Sequence, residues 1–341
     1  MKLRDFRYER IFALFYRLTR RLSNRQIMML LAMIVGLVAG LGTYVFEILL
    51  YAIKNCLVNW FPIGNAHFLL LIYPAIGIVL ATLFVKYIVR DNISEGVTRV
   101  LYAMSRRDSR IPPHNCWTSI VGGATTIGFG GSVGPEAPIV LTGAAIGSNV
   151  GRLARLNYRN TTLMLCCGAG AAIAAIFKAP ITGVVFVLEI LMLDITAGSV
   201  IPLLIASITA TTMAFMLRGF DPILAVTLAP ADAFELWQIP LFILLGVLCG
   251  LMAWYFTSMN SRVGAFFKSI DKQYKKWLWG GAILGILIFV FPPLYGEGYE
   301  GFTSLMHGNA QELFNNSLFY RFRDIDWVII LFVIATMFFK V

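Results

Sequence analysis

Histidine and acid are scarce in this sequence, and charge of either sign is thin. Among 341 residues there are three histidines and 18 acidic residues, and Asp, Glu, Lys and Arg together make up 13%. So little charge excludes an ordinary soluble domain with a polar surface. His67, His114 and His307 stand in or beside connectors, not inside apolar runs, so they read as loop residues, not as ligands or buried catalytic bases. The five cysteines (Cys56, Cys116, Cys166, Cys167, Cys249) lack metal-ligand spacing, and the adjacent pair Cys166 and Cys167 reads as small packing residues. No metal and no cofactor is therefore expected. A short apolar core followed by small residues is also missing near the start, so no cleavable signal pattern is expected.

What is present is apolar. Hydrophobic residues make up 58% of the chain, and mean hydropathy is +0.76. This composition predicts an all-α polytopic membrane protein in contact with a lipid bilayer. Apolar runs cover 27–53, 68–85, 161–193, 202–217, 240–256, 277–295 and 327–339. Most can cross a hydrocarbon layer of about 30 Å, which needs roughly 20 helical residues. Others are short or interrupted by Pro and Gly, as at Phe177-Lys-Ala-Pro180, where the run should split into two helices. Broken helices at membrane depth are tolerated where they line a cavity or are buried in protein.

The net charge of +10 would suit nucleic acid, but its placement excludes that partner. Basic residues cluster beside apolar runs, as on the cytoplasmic face of a membrane protein. The densest cluster, residues 4–25, mixes with Phe6, Ile11, Phe12, Leu14, Phe15 and Leu18. Residues 1–24 thus read as an amphipathic helix on the inner surface of the cell membrane, with a cytoplasmic N-terminus. A helix with Asp91, Asn92 or Ser94 as cap is expected to run to about residue 104.

An internal repeat follows. Ile34-Val-Gly-Leu-Val-Ala-Gly-Leu-Gly-Thr-Tyr-Val-Phe46 aligns with Leu244-Leu-Gly-Val-Leu-Cys-Gly-Leu-Met-Ala-Trp-Tyr-Phe256, pairing Gly36 with Gly246 and Gly40 with Gly250. Further on, Glu95-Gly-Val-Thr98 aligns with Glu300-Gly-Phe-Thr303 at an offset that agrees to within about five residues, small against loop variation. Basic residues precede the Gly36 run but follow the Gly246 run, so the two copies should point oppositely through the membrane. The expected division is 25–218 as a first inverted repeat, 219–238 as a connector and 239–341 as part of a second. On this reading the sequence is a fragment or a truncated product.

The most distinctive stretch is Gly128-Phe-Gly-Gly-Ser-Val-Gly-Pro-Glu-Ala-Pro-Ile-Val-Leu-Thr-Gly-Ala-Ala-Ile-Gly147. Gly128, Gly130, Gly131 and Gly134 permit positive φ and close backbone approach. Pro138 suits the first turn of a helix. A glycine loop therefore feeds a helix N-terminus, whose unpaired N–H groups and partial positive charge suit an anion. Glu136 is the one carboxylate there.

Gly134-Pro-Glu-Ala-Pro-Ile-Val-Leu-Thr-Gly-Ala-Ala-Ile-Gly resembles the G-R-E-G-P-x-V-x-x-G motif of the CLC chloride channels and chloride/proton antiporters. Gly168-Ala-Gly-Ala-Ala-Ile-Ala-Ala-Ile-Phe-Lys-Ala-Pro-Ile-Thr-Gly-Val-Val-Phe-Val-Leu-Glu189 is similar to a second, longer segment of that family. The resemblance implies an inverted-repeat fold of broken, tilted helices, a homodimer with one pore per subunit, and chloride or another small anion as substrate. It puts Glu136 on the family's gating glutamate. Anion contacts would come from backbone groups of Gly134, Pro135, Ala137, Ile139 and Val140, with Asn92 and Ile93 contributing from the preceding turn. Pro138, Gly143, Pro180 and Glu189 fall on the motifs' structural positions. Pro135 and Ala137 replace the usual Arg and second Gly. Asp91 replaces a serine that faces the anion, and should turn aside or cap a helix.

Ile190 stands where many exchangers carry an inner proton glutamate, which tilts the expectation toward a passive channel, with proton-coupled antiport as the alternative. Lys178 would lure anions inward or snorkel to water. The rival from another class is an intramembrane serine hydrolase built on Ser132. It needs a base within reach of the hydroxyl, and no histidine lies in an apolar run.

Overall fold

The computed structural model describes residues 23–60, 69–91, 96–192, 196–220, 236–315 and 317–341. The amphipathic segment expected at 1–24 lies almost wholly outside these residues, as does most of the 219–238 connector. Helix dominates, and no strand occurs among the described residues. The α-helices are α1 (Asn24–Trp60), α2 (Leu69–Leu83), α3 (Gly96–Arg106), α4 (Asn115–Gly128), α5 (Glu136–Leu153), α6 (Tyr158–Phe177), α7 (Pro180–Ile190), α8 (Ala197–Arg218), α9 (Ile239–Lys268), α10 (Gln273–Val290), α11 (Tyr299–Met306) and α12 (Asp326–Phe339). Five of the helical segments are long and apolar enough to cross a membrane: Asn24–Leu57, Leu69–Val89, Tyr158–Phe177, Gly198–Arg218 and Leu236–Lys268. Helix α7 and helix α12 are apolar but shorter.

The described residues fall into two compact units. One takes in Met1–Trp60, Leu80–Gly128 and Val133–Leu224; the other takes in Phe61–Val79, Phe129–Ser132 and Ala225–Val341.

The first unit is built around α6, which is buried along nearly its whole length, Cys166 and Cys167 included. Small residues allow this. A β-carbon at Gly143 of α5 would overlap the Gly168 carbonyl of α6, and one at Gly147 would overlap the Met164 carbonyl. On α1, Gly36 and Gly40 sit against the backbone of Ala206 and Ala210 in α8. With no aqueous driving force between helices in lipid, such backbone approach is a main source of cohesion. Helix breaks occur where the sequence requires them. Lys178 ends α6 in the left-handed region at φ 52°. Pro180 then opens α7 at the position where its missing N–H is no loss. Glu47 of α1 is paired with Arg218 at the end of α8, so an acid in an apolar helix is not left bare.

In the second unit an aromatic cluster forms the core. Phe332 of α12 stacks on Phe314 with ring centroids 4.4 Å apart and lies 5.1 Å from Phe291. Gly281 and Gly285 of α10 pack on the backbone of Ala75 and Leu71 in α2. Helix α9 has no buried residue. Its first part, Ile239 to Phe256, is apolar around its circumference, as suits a lipid-facing span. Gly246 and Gly250, the partners of Gly36 and Gly40 in the repeat, meet nothing within 4 Å. The other matched segments both mark helix starts: Gly96 opens α3 and Gly301 lies in the first turn of α11.

The helix expected near residue 91 is described from Gly96 onward, and its cap candidates Asn92 and Ser94 lie outside the described residues. One local expectation changes. Of the four loop glycines, only Gly130 has positive φ, at 95°. Gly128 is the last residue of α4. Gly130 is needed twice over, since a β-carbon there would also overlap the Tyr295 ring.

Candidate anion site

The first turn of α5 defines the site. Pro135 precedes it at φ −77° and ψ −7°, and Glu136 is its first residue. Ile139 donates its N–H to the Pro135 carbonyl at 3.2 Å, and Val140 is committed to the next rung of the ladder. Pro135 and Pro138 have no N–H at all. The expected donor set is therefore narrower. Pro135, Ile139 and Val140 offer no backbone N–H outward, because proline lacks one and the other two are used inside the helix. Gly134, Glu136 and Ala137 keep theirs outside the ladder. Ile139 and Val140 contribute differently: both are buried in the core and fix the direction in which the turn points.

Glu136 is half-buried. Its carboxylate folds back over Gly134, where any β-carbon would overlap it. The acid therefore lies at the positive end of its own helix, where a negative group is stabilised by about 0.3–1 kcal/mol, and more when partly buried. A second helix start arrives at the same place. Gly96, the buried first residue of α3, rests on the Ala137 backbone so closely that a β-carbon would overlap the Ala137 carbonyl. Gly123 of α4 packs on the Pro138 ring in the same turn, with its β-carbon position 2.7 Å from the proline Cβ. The first described residue of α3, the first turn of α5 and one carboxylate thus share one location.

The remaining expected positions are dispersed. Asn92 and Ile93 lie outside the described residues. Gly143 is in the α5–α6 contact, and Pro180 starts α7. Glu189 and Ile190 are exposed in the last turn of α7. Lys178 Nζ donates to the Gly219 carbonyl at 2.8 Å, just past the end of α8. A cation there meets the negative helix end.

A polar cluster beside the site escaped the sequence reading. Arg99 of α3 donates to the Asp91 carboxylate, and His114 Nε2 lies 3.2 Å from the same oxygen. His114 Nδ1 is 3.3 Å from the Thr118 hydroxyl. The Asp91 carboxylate thus ties Arg99 of α3 to His114, just before α4. No spacing rule links Asp91 to His114 across two helix starts, so no signal in the sequence pointed to the pair. Among the described residues neither histidine is seen to pair with Ser132: His114 is engaged with Asp91 and Thr118, and His307 Nδ1 contacts the Thr303 carbonyl at 2.8 Å, while His67 lies outside the described residues.

Interrupted apolar helices, several long enough to cross a membrane, define the chain as an all-α polytopic membrane protein. The family described as voltage gated chloride channel matches residues 76–341, and the chain belongs to that family. Curated relatives include a putative chloride channel protein ClcB-like from Ralstonia nicotianae, 27% identical over 242 residues, covering 70% of this chain and 56% of the relative. An H(+)/Cl(-) exchange transporter ClcA from Vibrio vulnificus is 29% identical over 298 residues, covering 82% of this chain and 62% of the relative. The chain thus spans about three fifths of the length of these relatives. Among solved structures, a slow cyanobacterial Cl-/H+ antiporter matches 94% of this chain and 74% of its own at a TM-score of 0.71 and 23% identity. A CLC-type fluoride/proton antiporter matches 92% and 75% at a TM-score of 0.72 and 22% identity. The fold of this chain is that of the CLC proteins.

Proposed function

We propose that this protein carries chloride, or a similar small anion, across a membrane, with Glu136 as a gate that occupies the anion's place and swings away to admit it. The observation that carries this reading is the Glu136 carboxylate lying over Gly134 where the starts of α3 and α5 meet. A carboxylate resting among helix-end donors mimics the anion those donors would bind. Selectivity would then come from backbone dipoles and N–H groups, with no covalent chemistry. Gly134 and Ala137 supply the outward donors, Pro138 and Gly143 shape the helix that presents them, and Pro180 sets the break before α7. Asn92 and Ile93 belong to the proposal as residues of the turn leading into α3.

Proton-coupled exchange is the form of transport we favour. The relatives named as H(+)/Cl(-) exchange transporters support it over the passive channel that Ile190 suggested. The channel form keeps one specific support, the apolar Ile190 beside the exposed Glu189. The proposal also includes two inverted repeats, 25–218 and 239–341, joined by 219–238. It further includes a homodimer in a cell membrane with the 1–24 segment on the cytoplasmic surface. The test is chloride efflux from liposomes holding the full-length protein, with a pH electrode in the bath. Chloride efflux driving proton uptake at a fixed ratio is the expected result. Chloride flux with no proton movement would leave the channel form, and no flux of either ion would refute transport.

A further inference from the structure

Six arginines gather on two short loops at one end of the first unit. The loop after α3 carries Arg106, Arg107 and Arg110; the α5–α6 turn and its flanks carry Arg152, Arg155 and Arg159. All six are exposed. The only carboxylate within 105–111 and 152–160 is Asp108.

These are built loops, not loose basic tails. Asp108, Ser109 and Arg155 hold left-handed backbone conformations, at φ 49°, 57° and 51°, which non-glycine residues adopt only when their surroundings enforce it. The enforcement is visible. The fully buried Ser148 hydroxyl of α5 donates to the Ser109 carbonyl at 2.6 Å and accepts from the Ile111 N–H at 3.1 Å. The Ser109 hydroxyl lies 2.6 Å from that of Thr162 in α6. Asn149 donates to the Ile111 carbonyl at 3.2 Å, and the Tyr158 hydroxyl donates to the Met104 carbonyl at 2.8 Å. The two arginine loops are therefore stitched to each other through α5 and α6.

The geometry points to a docking surface for the headgroups of anionic phospholipids. Guanidinium groups match phosphate oxygens in a planar, two-pronged fashion that ammonium groups do not. The location selects lipid over a free anion. Tyr158 begins a segment long and apolar enough to span the membrane, so the loops stand at headgroup depth. Apolar side chains also lie open beside the arginines: Leu101 at 37%, Tyr102 at 51%, Leu153 at 43% and Tyr158 at 54% exposure. A soluble phosphate has no use for these, whereas the glycerol and upper acyl chain of a lipid would cover them. The Arg107 guanidinium lies over the Tyr102 ring, 5.4 Å from its centroid.

The test uses the full-length protein in nanodiscs of equal phosphatidylglycerol and phosphatidylcholine, with retained lipids counted by native mass spectrometry after extraction. Wild type should retain phosphatidylglycerol in excess. The Arg107→Gln/Arg110→Gln/Arg152→Gln variant should lose that excess by about tenfold, and the matching Lys variant should fall between, since charge survives but the forked geometry does not. The wild-type melting temperature, needing no variant, should be higher in phosphatidylglycerol discs than in phosphatidylcholine discs. An unchanged excess in the Gln variant overturns the proposal, as does an equal melting temperature in both lipids. Displacement of the retained lipid by millimolar inorganic phosphate would assign the surface to a free anion instead. None of these readouts requires transport.

Discussion

Glu136 and Gly134 compete for the same space. The carboxylate rests where a side chain at 134 would have to be, so the glycine is required by the acid's position and not by backbone strain, for its φ is not positive. Gly134→Ala should therefore push the carboxylate off the helix start while leaving the fold in place. The expected outcome is a chloride flux faster than that of wild type, with a melting temperature within a few degrees of wild type. An unaltered flux would show that Glu136 does not gate from this position. Much of this was legible in the sequence, because a carboxylate beside a proline-started helix after a glycine loop has few structural meanings. The Asp91–Arg99–His114 cluster and the Lys178–Gly219 bond were not. Each joins residues whose proximity is created by packing several helices, and neither follows a spacing that a single helix or turn would impose.

At the scale of elements, α5 against α6 and α1 against α8 depend on missing β-carbons. Gly143→Val would drive a side chain into the Gly168 carbonyl, and a destabilisation of about 1–3 kcal/mol or more is expected from overpacking alone. Gly264→Ala on α9 is the contrast: nothing lies within 4 Å of that position, so removing a flexible residue from a helix interior should stabilise by about 0.5–1 kcal/mol. Thermal melts of the two variants in one detergent check both directions. The break at Pro180 was legible because proline forbids helix continuation. The Asp91–Arg99 ion pair at the approach to α3 was less so, since it joins residues eight apart across the stretch before the helix. The donor set shrank for a different reason. Counting N–H groups near a helix start overstates supply unless the prolines and the first ladder bond are subtracted.

For the whole molecule, the internal repeat and its charge flanks predict two copies in opposite orientations. The division into compact units was not legible, since residues 129–132 group with 225–341 despite lying between two helices of the first unit. Sequence adjacency carries no information about which contacts a short loop will favour. The orientations can be measured. Cys56 and Cys249 are exposed and would first be replaced by serine. In that background, cysteines placed at Ser23, before α1, and at Gln238, before α9, should react with an impermeant thiol reagent from opposite sides of sealed vesicles. Reaction from the same side would contradict the inverted arrangement.

The most direct measurement of the central claim is chloride binding by calorimetry to the full-length protein and to Glu136→Gln at one pH. If the acid occupies the anion's resting place among the starts of α3 and α5, neutralising it should tighten chloride binding several-fold, since each factor of ten corresponds to about 1.4 kcal/mol of relieved competition. Equal affinities in the two proteins would mean that chloride and the Glu136 carboxylate do not share a site.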